Sequence, residues 1–420
     1  MNRNVLNVLL VCPVFPPQGQ VGALRSAMFA KYLLEYEWKP IILTRWYPHD
    51  DVNNREVFKG ITGLPTEQDI VKYELASGHE CIDHTTLLDK IKRFMMPEYG
   101  QSWNLIEGMV DVFMASKHSA SINAIYATSP DFAQITVGMI LGAKLNIPVI
   151  VDFRDIPEQD HRQGFEQHLY HLRYLLRRYL STKRAFCALA VSEPQKEILE
   201  KRLAIPVHCI PNGYDGEMFY SSNGQKSSVF RINYVGRVIN QWLRNPAVFL
   251  EAIDIIINDT EINSKEIEIR FVGADREVLT PILSAYACKD YIKVEPAVAY
   301  GDVADLIRSS CINLVLTSEG RSGVMTTKFY EYLAVRRPII CVPDDKGGLS
   351  SIIKKLNCGL ASSNSAQVAD YIKRLYLQWK NANGLLPVVQ SVGVEEYSRK
   401  NATRKLAQLL NVSVLGKRPD

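Results

Sequence analysis

The sequence lacks several patterns that would assign it to a class immediately. Its 420 residues contain no run of about 18 apolar residues, so we expect no membrane-spanning helix. The eight cysteines form no Cys-x-x-Cys pair, which argues against a disulfide scaffold or a zinc ribbon. There is no short-period repeat and no low-complexity tract, so neither a solenoid nor a largely disordered chain is expected.

Charge of one sign is not in large excess either. Lys and Arg number 49 against 45 Asp and Glu, and a net charge of +4 is too small to indicate a nucleic-acid-binding protein. Cys12, Cys311 and Cys341 lie in apolar segments, which favours reduced, buried thiols and a cytoplasmic location. The apolar N-terminal segment resembles a short signal peptide, but it leads directly into a turn-rich loop, so we predict a buried strand there.

What is present is an alternation of short apolar segments with helical patterns. Val5–Val11 and Pro148–Phe153 are largely continuous apolar runs, as in parallel strands that are covered on both faces. The repeated strand–helix order predicts an α/β fold with doubly wound, Rossmann-like sheets. The pattern restarts after the turn signal Asn212-Gly213. We therefore expect an N-terminal domain over residues 1–212, a C-terminal domain over 213–390 and a helical tail over 391–420.

One long region departs from this alternation. Residues 44–122 are rich in proline and glycine, and we expect an irregular insertion there with a helix around Thr85–Phe94. In the tail, the apolar pattern predicts a helix over Val394–Leu410.

The loop after the first strand is a candidate for ligand contact. In the segment Pro13–Arg25, Gly19 and Gly22 would let the backbone approach a ligand, and the helix that follows would offer its N-terminal amides to an anion. The spacing is not Gly-x-Gly-x-x-Gly, which argues against a dinucleotide. A plain turn into a helix is the alternative.

A second candidate in the N-terminal domain lies at a strand end. In Val151–Asp155, three charged residues follow an apolar run, at the carboxyl end of a strand where open α/β sheets bind ligands. A turn or a cap needs only one of them. We therefore predict that Arg154 and Asp155 face the site, whereas Asp152 braces or caps the loop.

In the C-terminal domain, two arginines follow a strand. Arg237 comes directly after Gly236, and Arg244 lies seven residues further on. Two guanidinium groups on such a loop can hold a diphosphate through their fixed hydrogen-bond donors. The alternative is that one of them only forms a surface salt bridge.

The most specific motif is Gly320–Leu333, in which a loop of small residues opens a helix. Its backbone amides and the hydroxyls of Thr326 and Thr327 could meet phosphate oxygens, and Lys328 adds a positive charge. Glu331 falls on the same helix face one turn later, where a carboxylate could accept the hydroxyls of a ribose. An ordinary capped amphipathic helix is the alternative.

A basic helical pattern covers His168–Arg184. Such a helix could lie against anionic lipid or attract an anionic acceptor, but a core-packed helix with a solvated basic face is the favoured interpretation. His161, His168 and His171 have no carboxylates at ligand spacing, so we predict no protein-built metal site.

Taken together, these segments resemble glycosyltransferase family 4 of the GT-B superfamily. The resemblance covers nearly the whole chain apart from residues 44–122. It depends on the order and spacing of the segments that carry it: NVLLVCPVFPPQGQVGALR, AIYATSPDF, PVIVDFRD, LAVSEPQKEIL, CIPNGYD, INYVGRV, IRFVG and KFYEYLAVRRPII.

The resemblance implies two Rossmann-like domains that face a cleft, with the last helix returning to the N-terminal domain. It also implies that Glu331 holds the donor ribose and that Arg237, with Arg244 or Lys328, holds the donor diphosphate. The loop before Thr327 would supply amides to the same diphosphate, and the Gly19–Gly22 loop would close over it. Members of the family retain the anomeric configuration and usually need no metal.

The sequence departs from the family pattern at the sugar end of the site. Many members carry an additional glutamate where Gly323 stands here, and a histidine where Arg154 and Asp155 stand here. Asp155 could orient the acceptor or take its proton. Arg244 replaces the more usual lysine.

The expected activity is transfer from a nucleotide sugar, with UDP favoured over GDP, to a glycan or lipid-linked acceptor of a surface polysaccharide. The expected location is the cytoplasm, with peripheral membrane contact through His168–Arg184 as a further hypothesis. Two alternatives remain: a GT-B epimerase or phosphorylase, and a degenerate GT-B scaffold without activity.

Overall fold

The computed structural model describes residues 5–18, 21–47, 58, 61–74, 103–129, 132–156, 182–238, 244–317 and 325–416. The chain divides into two compact units. Unit 1 comprises Met1–Pro211 with Arg399–Asp420, and unit 2 comprises Asn212–Ser398.

Unit 1 contains a parallel sheet with the strand order β3-β2-β1-β4-β5-β6-β7 in the described residues. The strands are β1 Leu6–Cys12, β2 Trp38–Trp46, β3 Ile70–Glu74, β4 Ala124–Thr128, β5 Val149–Phe153, β6 Cys187–Ala190 and β7 Val207–Cys209. The helices up to residue 211 are α1 Leu24–Leu33, α2 Trp103–Met114, α3 Phe132–Leu145 and α4 Glu193–Glu200.

Strand β1 shows why the strands of this sheet are apolar at consecutive positions of the sequence. Val8 and Leu10 point into one hydrophobic cluster, whereas Leu9 and Val11 point into the cluster on the other face. All four side chains are fully buried. A parallel sheet covered by helices on both faces therefore needs apolar residues at consecutive positions.

The described parts of the region 44–122 contain regular elements, unlike the irregular insertion that its glycines and prolines suggest. Strand β2 continues to Trp46, β3 pairs with it in parallel, and helix α2 buries Ile106, Met109 and Phe113 in the core. These elements were missed because β3 is short and lies at the sheet edge, where few buried residues mark it. The helix expected around Thr85–Phe94 lies outside the described residues.

Unit 2 repeats the architecture with the strand order β10-β9-β8-β11-β12-β13, again parallel throughout the described residues. The strands are β8 Phe230–Val235, β9 Ile267–Val272, β10 Ile292–Glu295, β11 Ile312–Leu316, β12 Ile339–Val342 and β13 Gly359–Ala361. The helices are α5 Ala247–Ile257, α6 Arg276–Leu283, α7 Tyr300–Arg308, α8 Thr327–Val335, α9 Gly348–Leu356 and α10 Ser365–Asn381.

The last helix, α11 Arg399–Val414, belongs to unit 1. Leu406 and Leu410 are fully buried in the cluster that also contains residues of α1, and Asn411 accepts a hydrogen bond of 2.8 Å from the Trp38 indole. The helix begins later than the expected Val394, because Gly393 has a φ of +90° and Ser398 is extended. Only a short 3₁₀ turn, Val394–Tyr397, forms between them.

No helix among the described residues is both long and apolar enough to cross a membrane.

Candidate functional site

The two sheets each have one point where the strand order reverses. In unit 1 the reversal lies between β1 and β4, and in unit 2 it lies between β8 and β11. Loops that leave the carboxyl ends of such strand pairs diverge to opposite sides of the sheet and leave a crevice, which is where open α/β folds bind ligands. In unit 2 these loops begin at Gly236 and Thr317.

Lys328 lies beside the first of these loops. An ideal Cβ built on Gly236 would lie 1.6 Å from the Lys328 Nζ, so the ammonium occupies space that only glycine leaves open. Gly236 also has a φ of +136°, a backbone conformation that residues other than glycine rarely adopt. Glycine at 236 is therefore explained by the close approach of a lysine from α8.

Arg244 is a second cation near Lys328, and we call Lys328, Arg244 and Glu331 the Lys328 group. Its guanidinium hydrogen-bonds to the Tyr234 side chain and acts against the burial that raises the pKa of Tyr234 to about 12. It also acts on Lys328, whose pKa is lowered to about 8 by burial and by the Arg244 charge. The Glu331 carboxylate acts in the opposite direction without cancelling these two effects. The ordinary pKa of lysine is 10.5, so this ammonium group is destabilised in the structure.

Glu331 stands one turn into α8, on the face of Thr327 and Lys328. It is 3% exposed, so only a small part of the residue is open to a ligand. Its Oε1 accepts a hydrogen bond of 2.8 Å from the hydroxyl of Tyr300, the first residue of α7. Sequence reasoning missed Tyr300, because nothing in its local pattern connects it to a residue so far along the chain.

The start of α8 lacks a side-chain cap from its own N-cap residue. Thr326 is the N-cap residue, and its side chain forms no capping hydrogen bond. Helix termini without such a partner expose unsatisfied N–H groups that attract anions. The small-residue loop at 318–324, including Glu319 and Gly323, lies outside the described residues.

Arg237 lies at the surface of unit 2. Its side chain is 69% exposed and forms an ion pair of 2.8 Å with Asp275. Hydrogen bonding with Arg237 is also the main reason that the pKa of Asp275 is lowered. The structure thus places the two arginines of the predicted pair in different surroundings, with the surface salt bridge formed by Arg237.

Unit 1 contains a buried ion pair near the carboxyl ends of β4 and β5. Asp152 accepts hydrogen bonds of 2.7 and 3.1 Å from Arg25, a residue of α1, and others from Tyr126 and Thr128. Burial opposes the charge on Arg25, but the Asp152 carboxylate outweighs it and raises the pKa of the guanidinium. Asp152 thus braces the structure, and Arg25 is the partner that sequence reasoning did not identify.

Arg154 hydrogen-bonds to three separate segments of unit 1. Its guanidinium donates to the carbonyl of Gly22, its backbone amide donates to Ser129 Oγ at 2.9 Å, and its carbonyl accepts from Gln195 at 3.2 Å. Its neighbour Asp155 is exposed. The structure therefore brings Arg154 and Gly22 together, whereas Gly19 lies outside the described residues.

Two further predictions from the sequence concern the basic helix and a metal site. The basic helix over His168–Arg184 lies outside the described residues except for its last three positions, and so do His161, His168 and His171. Within the part of the chain that is described, no group of three His, Cys, Asp or Glu side chains is placed to hold a metal ion.

Comparison with known proteins supports the fold at low sequence identity. No family model matches the sequence, and no curated protein matches it. Among solved structures, sucrose-phosphate synthase from Thermosynechococcus elongatus matches with a TM-score of 0.64 and 15% identity over 98% of this chain and 100% of its own. Anabaena HepE in complex with UDP-glucose matches with a TM-score of 0.63 and 12% identity over 97% and 99% of the two chains. The fold is GT-B.

The GT-B fold alone does not separate transfer from other reactions. A Listeria monocytogenes protein assigned as a UDP-N-acetylglucosamine 2-epimerase is also similar, with a TM-score of 0.56 and 12% identity over 99% of this chain and 98% of its own. The reaction must therefore be argued from the residues of the site.

Proposed function

We propose that the protein is a glycosyltransferase that takes a sugar from a nucleotide-sugar donor bound by unit 2. The observation that carries this proposal is the gathering of Lys328, Arg244 and Glu331 beside the strand-order reversal of the sheet. Two cations next to an uncapped helix start favour a polyanion, and a carboxylate one turn later favours hydroxyl groups. A nucleoside diphosphate carries both kinds of group.

Electrostatics supports a diphosphate at Lys328. Burial and the neighbouring Arg244 charge disfavour its protonated form, which lowers the pKa to about 8. A diphosphate would place negative charge beside both cations and would be stabilised by them and by the amides of α8. The same groups would neutralise the charge that develops on the diphosphate as the sugar leaves, which is the electrostatic contribution to catalysis.

Glu331 is the proposed ribose ligand. A carboxylate can accept hydrogen bonds from adjacent sugar hydroxyls, and its position one turn beyond Lys328 suits a pentose attached to the diphosphate. We include Thr326, Thr327 and the loop before them among the donor contacts, as in the family that the sequence resembles.

Unit 1 is the proposed acceptor side. Asp155 is exposed at the end of β5, where it could orient an acceptor hydroxyl or take its proton. Arg154 fixes the loop at Gly22 through its hydrogen bond to that carbonyl. The resemblance to family 4 supplies the rest of the proposal. We propose that the anomeric configuration is retained without a metal, that the acceptor is a glycan or lipid-linked, and that the reaction contributes to surface polysaccharide synthesis.

We favour a UDP-sugar as the donor. Anabaena HepE, which is similar in fold, was crystallised with UDP-glucose and with UDP and glucose. The direct test is calorimetry of the purified protein with UDP, GDP and pyrophosphate. We expect UDP to bind and the Glu331→Gln variant to lose about tenfold or more in UDP affinity, with little change for pyrophosphate. Equal affinity of both proteins for every nucleoside diphosphate would contradict the assignment.

Epimerisation is the second candidate, since the similar Listeria protein is assigned that activity. Incubation with UDP-sugars in the absence of an acceptor distinguishes the two reactions. An epimerase converts the donor into its epimer under these conditions, whereas a transferase leaves its sugar configuration unchanged.

A further inference from the structure

Tyr300 connects the start of α7 to the middle of α8. Its hydroxyl donates the 2.8 Å hydrogen bond to Glu331 Oε1, and its ring packs edge-on against Phe219 with the centroids 5.7 Å apart. Phe219 is 1% exposed, so this ring contact lies against a rigid part of the core. The tyrosine hydroxyl is thereby held at a fixed position beside the carboxylate.

The orientation of Glu331 matters because so little of the residue is exposed. The last torsion of a glutamate side chain is broad, and its two oxygens can exchange places by rotation. With 3% of the residue exposed, a small rotation decides whether an oxygen faces a ligand or the protein interior. A donor held by packing selects one orientation, since a carboxylate accepts but cannot donate hydrogen bonds when ionised.

We propose that Tyr300 is a positioning residue for recognition of the donor ribose. It acts through Glu331 by fixing the plane of the carboxylate, so that the carboxylate accepts from the 2′- and 3′-hydroxyls of a nucleoside diphosphate. The proposal rests on the function proposed above. It adds that the Tyr300 hydroxyl orients the Glu331 carboxylate toward the ribose. The diphosphate contacts of Lys328 and Arg244 do not depend on it.

The test compares three ligands in three proteins. The ligands are UDP, 2′,3′-dideoxy-UDP, which lacks both hydroxyls, and pyrophosphate, which lacks the nucleoside. The proteins are the wild type, Tyr300→Phe and Tyr376→Phe. The Phe variant at 300 keeps the ring that packs on Phe219 and removes only the hydroxyl.

Tyr376 provides a matched control within unit 2. Its hydroxyl also donates a hydrogen bond to a glutamate, Glu266. Tyr376 lies in α10, and this hydrogen bond does not involve the Lys328 group. Removing the hydroxyl at 376 therefore tests the effect of breaking a tyrosine–glutamate hydrogen bond in general.

We expect Tyr300→Phe to weaken UDP binding about tenfold, the size expected for misplacing a hydrogen bond to a charged group, while pyrophosphate affinity stays within about twofold. The preference for UDP over dideoxy-UDP should shrink by a similar factor, and Tyr376→Phe should change neither quantity.

Two results would overturn the inference, and they differ from failure of the proposed function. If Tyr300→Phe weakens UDP and dideoxy-UDP equally, or changes no affinity, Tyr300 does not position a ribose ligand. If the folded wild type binds none of UDP, GDP and pyrophosphate, the proposed function itself is wrong and the inference falls with it.

Discussion

The Lys328 ammonium lies where a side chain on Gly236 would begin. The ideal Cβ at position 236 would be 1.6 Å from Nζ and 2.4 Å from Cε of the lysine. A residue on the loop after β8 and a residue on helix α8 therefore share one small volume. This relationship places a positive charge directly beside the loop that leaves the strand-order reversal of unit 2.

The Gly236→Ala variant tests this relationship. The new methyl group would displace the Lys328 ammonium, and we expect UDP affinity to fall about tenfold or more by calorimetry, because a charge-assisted contact is misplaced. Gly224→Ala is the matched control, since Gly224 also has a positive φ of +75° but has nothing within 4 Å of its Cβ position. It should carry a backbone penalty of about 1 kcal/mol without loss of affinity. Equal UDP affinities of the two variants would contradict displacement of Lys328 as the cause.

The lowered pKa of Lys328 predicts a pH dependence of ligand binding. The diphosphate needs the protonated ammonium, so affinity for UDP should be highest below pH 8 and should fall as the pH rises through about 8. Binding near pH 8 should also take up a proton, which is measured by calorimetry in buffers of different ionisation enthalpy. In Lys328→Met this uptake and this pH dependence should disappear, while Lys293→Met, at a surface ion pair with Glu268, should keep both.

The same group predicts how stability changes with pH. In the unfolded chain the lysine has its ordinary pKa of 10.5, so between about pH 8 and 10.5 the unfolded state binds more protons than the folded state. The contribution of Lys328 to the free energy of unfolding therefore rises with pH across this window. Denaturant titrations of wild type and Lys328→Met at several pH values measure it, and parallel curves for the two proteins would disagree with the lowered pKa.

The two arginines of the loop after β8 should differ in their effect on binding. Arg244→Ala should weaken UDP and pyrophosphate alike by about tenfold to a hundredfold, because a charged hydrogen bond to the diphosphate is lost. Arg237→Ala removes an exposed ion pair with Asp275 and should change these affinities by less than about threefold. Isothermal titration calorimetry of both variants with UDP and pyrophosphate measures these affinities. A larger loss of affinity in Arg237→Ala than in Arg244→Ala would show that Arg237, and not Arg244, holds the diphosphate.

The buried Arg25–Asp152 pair should matter for stability. Removing one partner leaves a buried charge without compensation, so Asp152→Asn should lower the free energy of unfolding by about 3–5 kcal/mol. Lys355→Met breaks the exposed pair with Glu396 and should cost at most about 1 kcal/mol. Urea titrations of the two variants and of Arg25→Met combined with Asp152→Asn provide the comparison. A cost for Asp152→Asn no larger than that for Lys355→Met would rule out a stabilising role.

Much of the fold could be predicted because its elements are local. The runs at Val8–Val11 and Ile312–Leu316 read as strands, and the helix over Phe132–Leu145 has the expected bounds. Strand β3 and helix α2 escaped notice, because an edge strand has few buried positions and the prolines and glycines around both elements mask the pattern.

The candidate site could be predicted only as a set of segments. The sequence pointed to the loop after β8 and to the start of α8, but it could not show that Lys328 fills the space beside Gly236 or that Arg237 pairs with Asp275. Tyr300 and Arg25 were missed for a related reason. Each is recognised only by its partner, which lies 31 residues away for Tyr300 and 127 for Arg25.

By itself, the sequence determined the α/β class and the restart of the pattern near residue 212, because apolar periodicity and turn residues act over a few positions along the chain. Only the tertiary structure decided the strand orders, and with them the two reversals at which candidate side chains gather. Strand order depends on backbone hydrogen bonds between segments that are far apart in sequence. Which cation stands beside Glu331 is likewise decided by packing and charge in three dimensions.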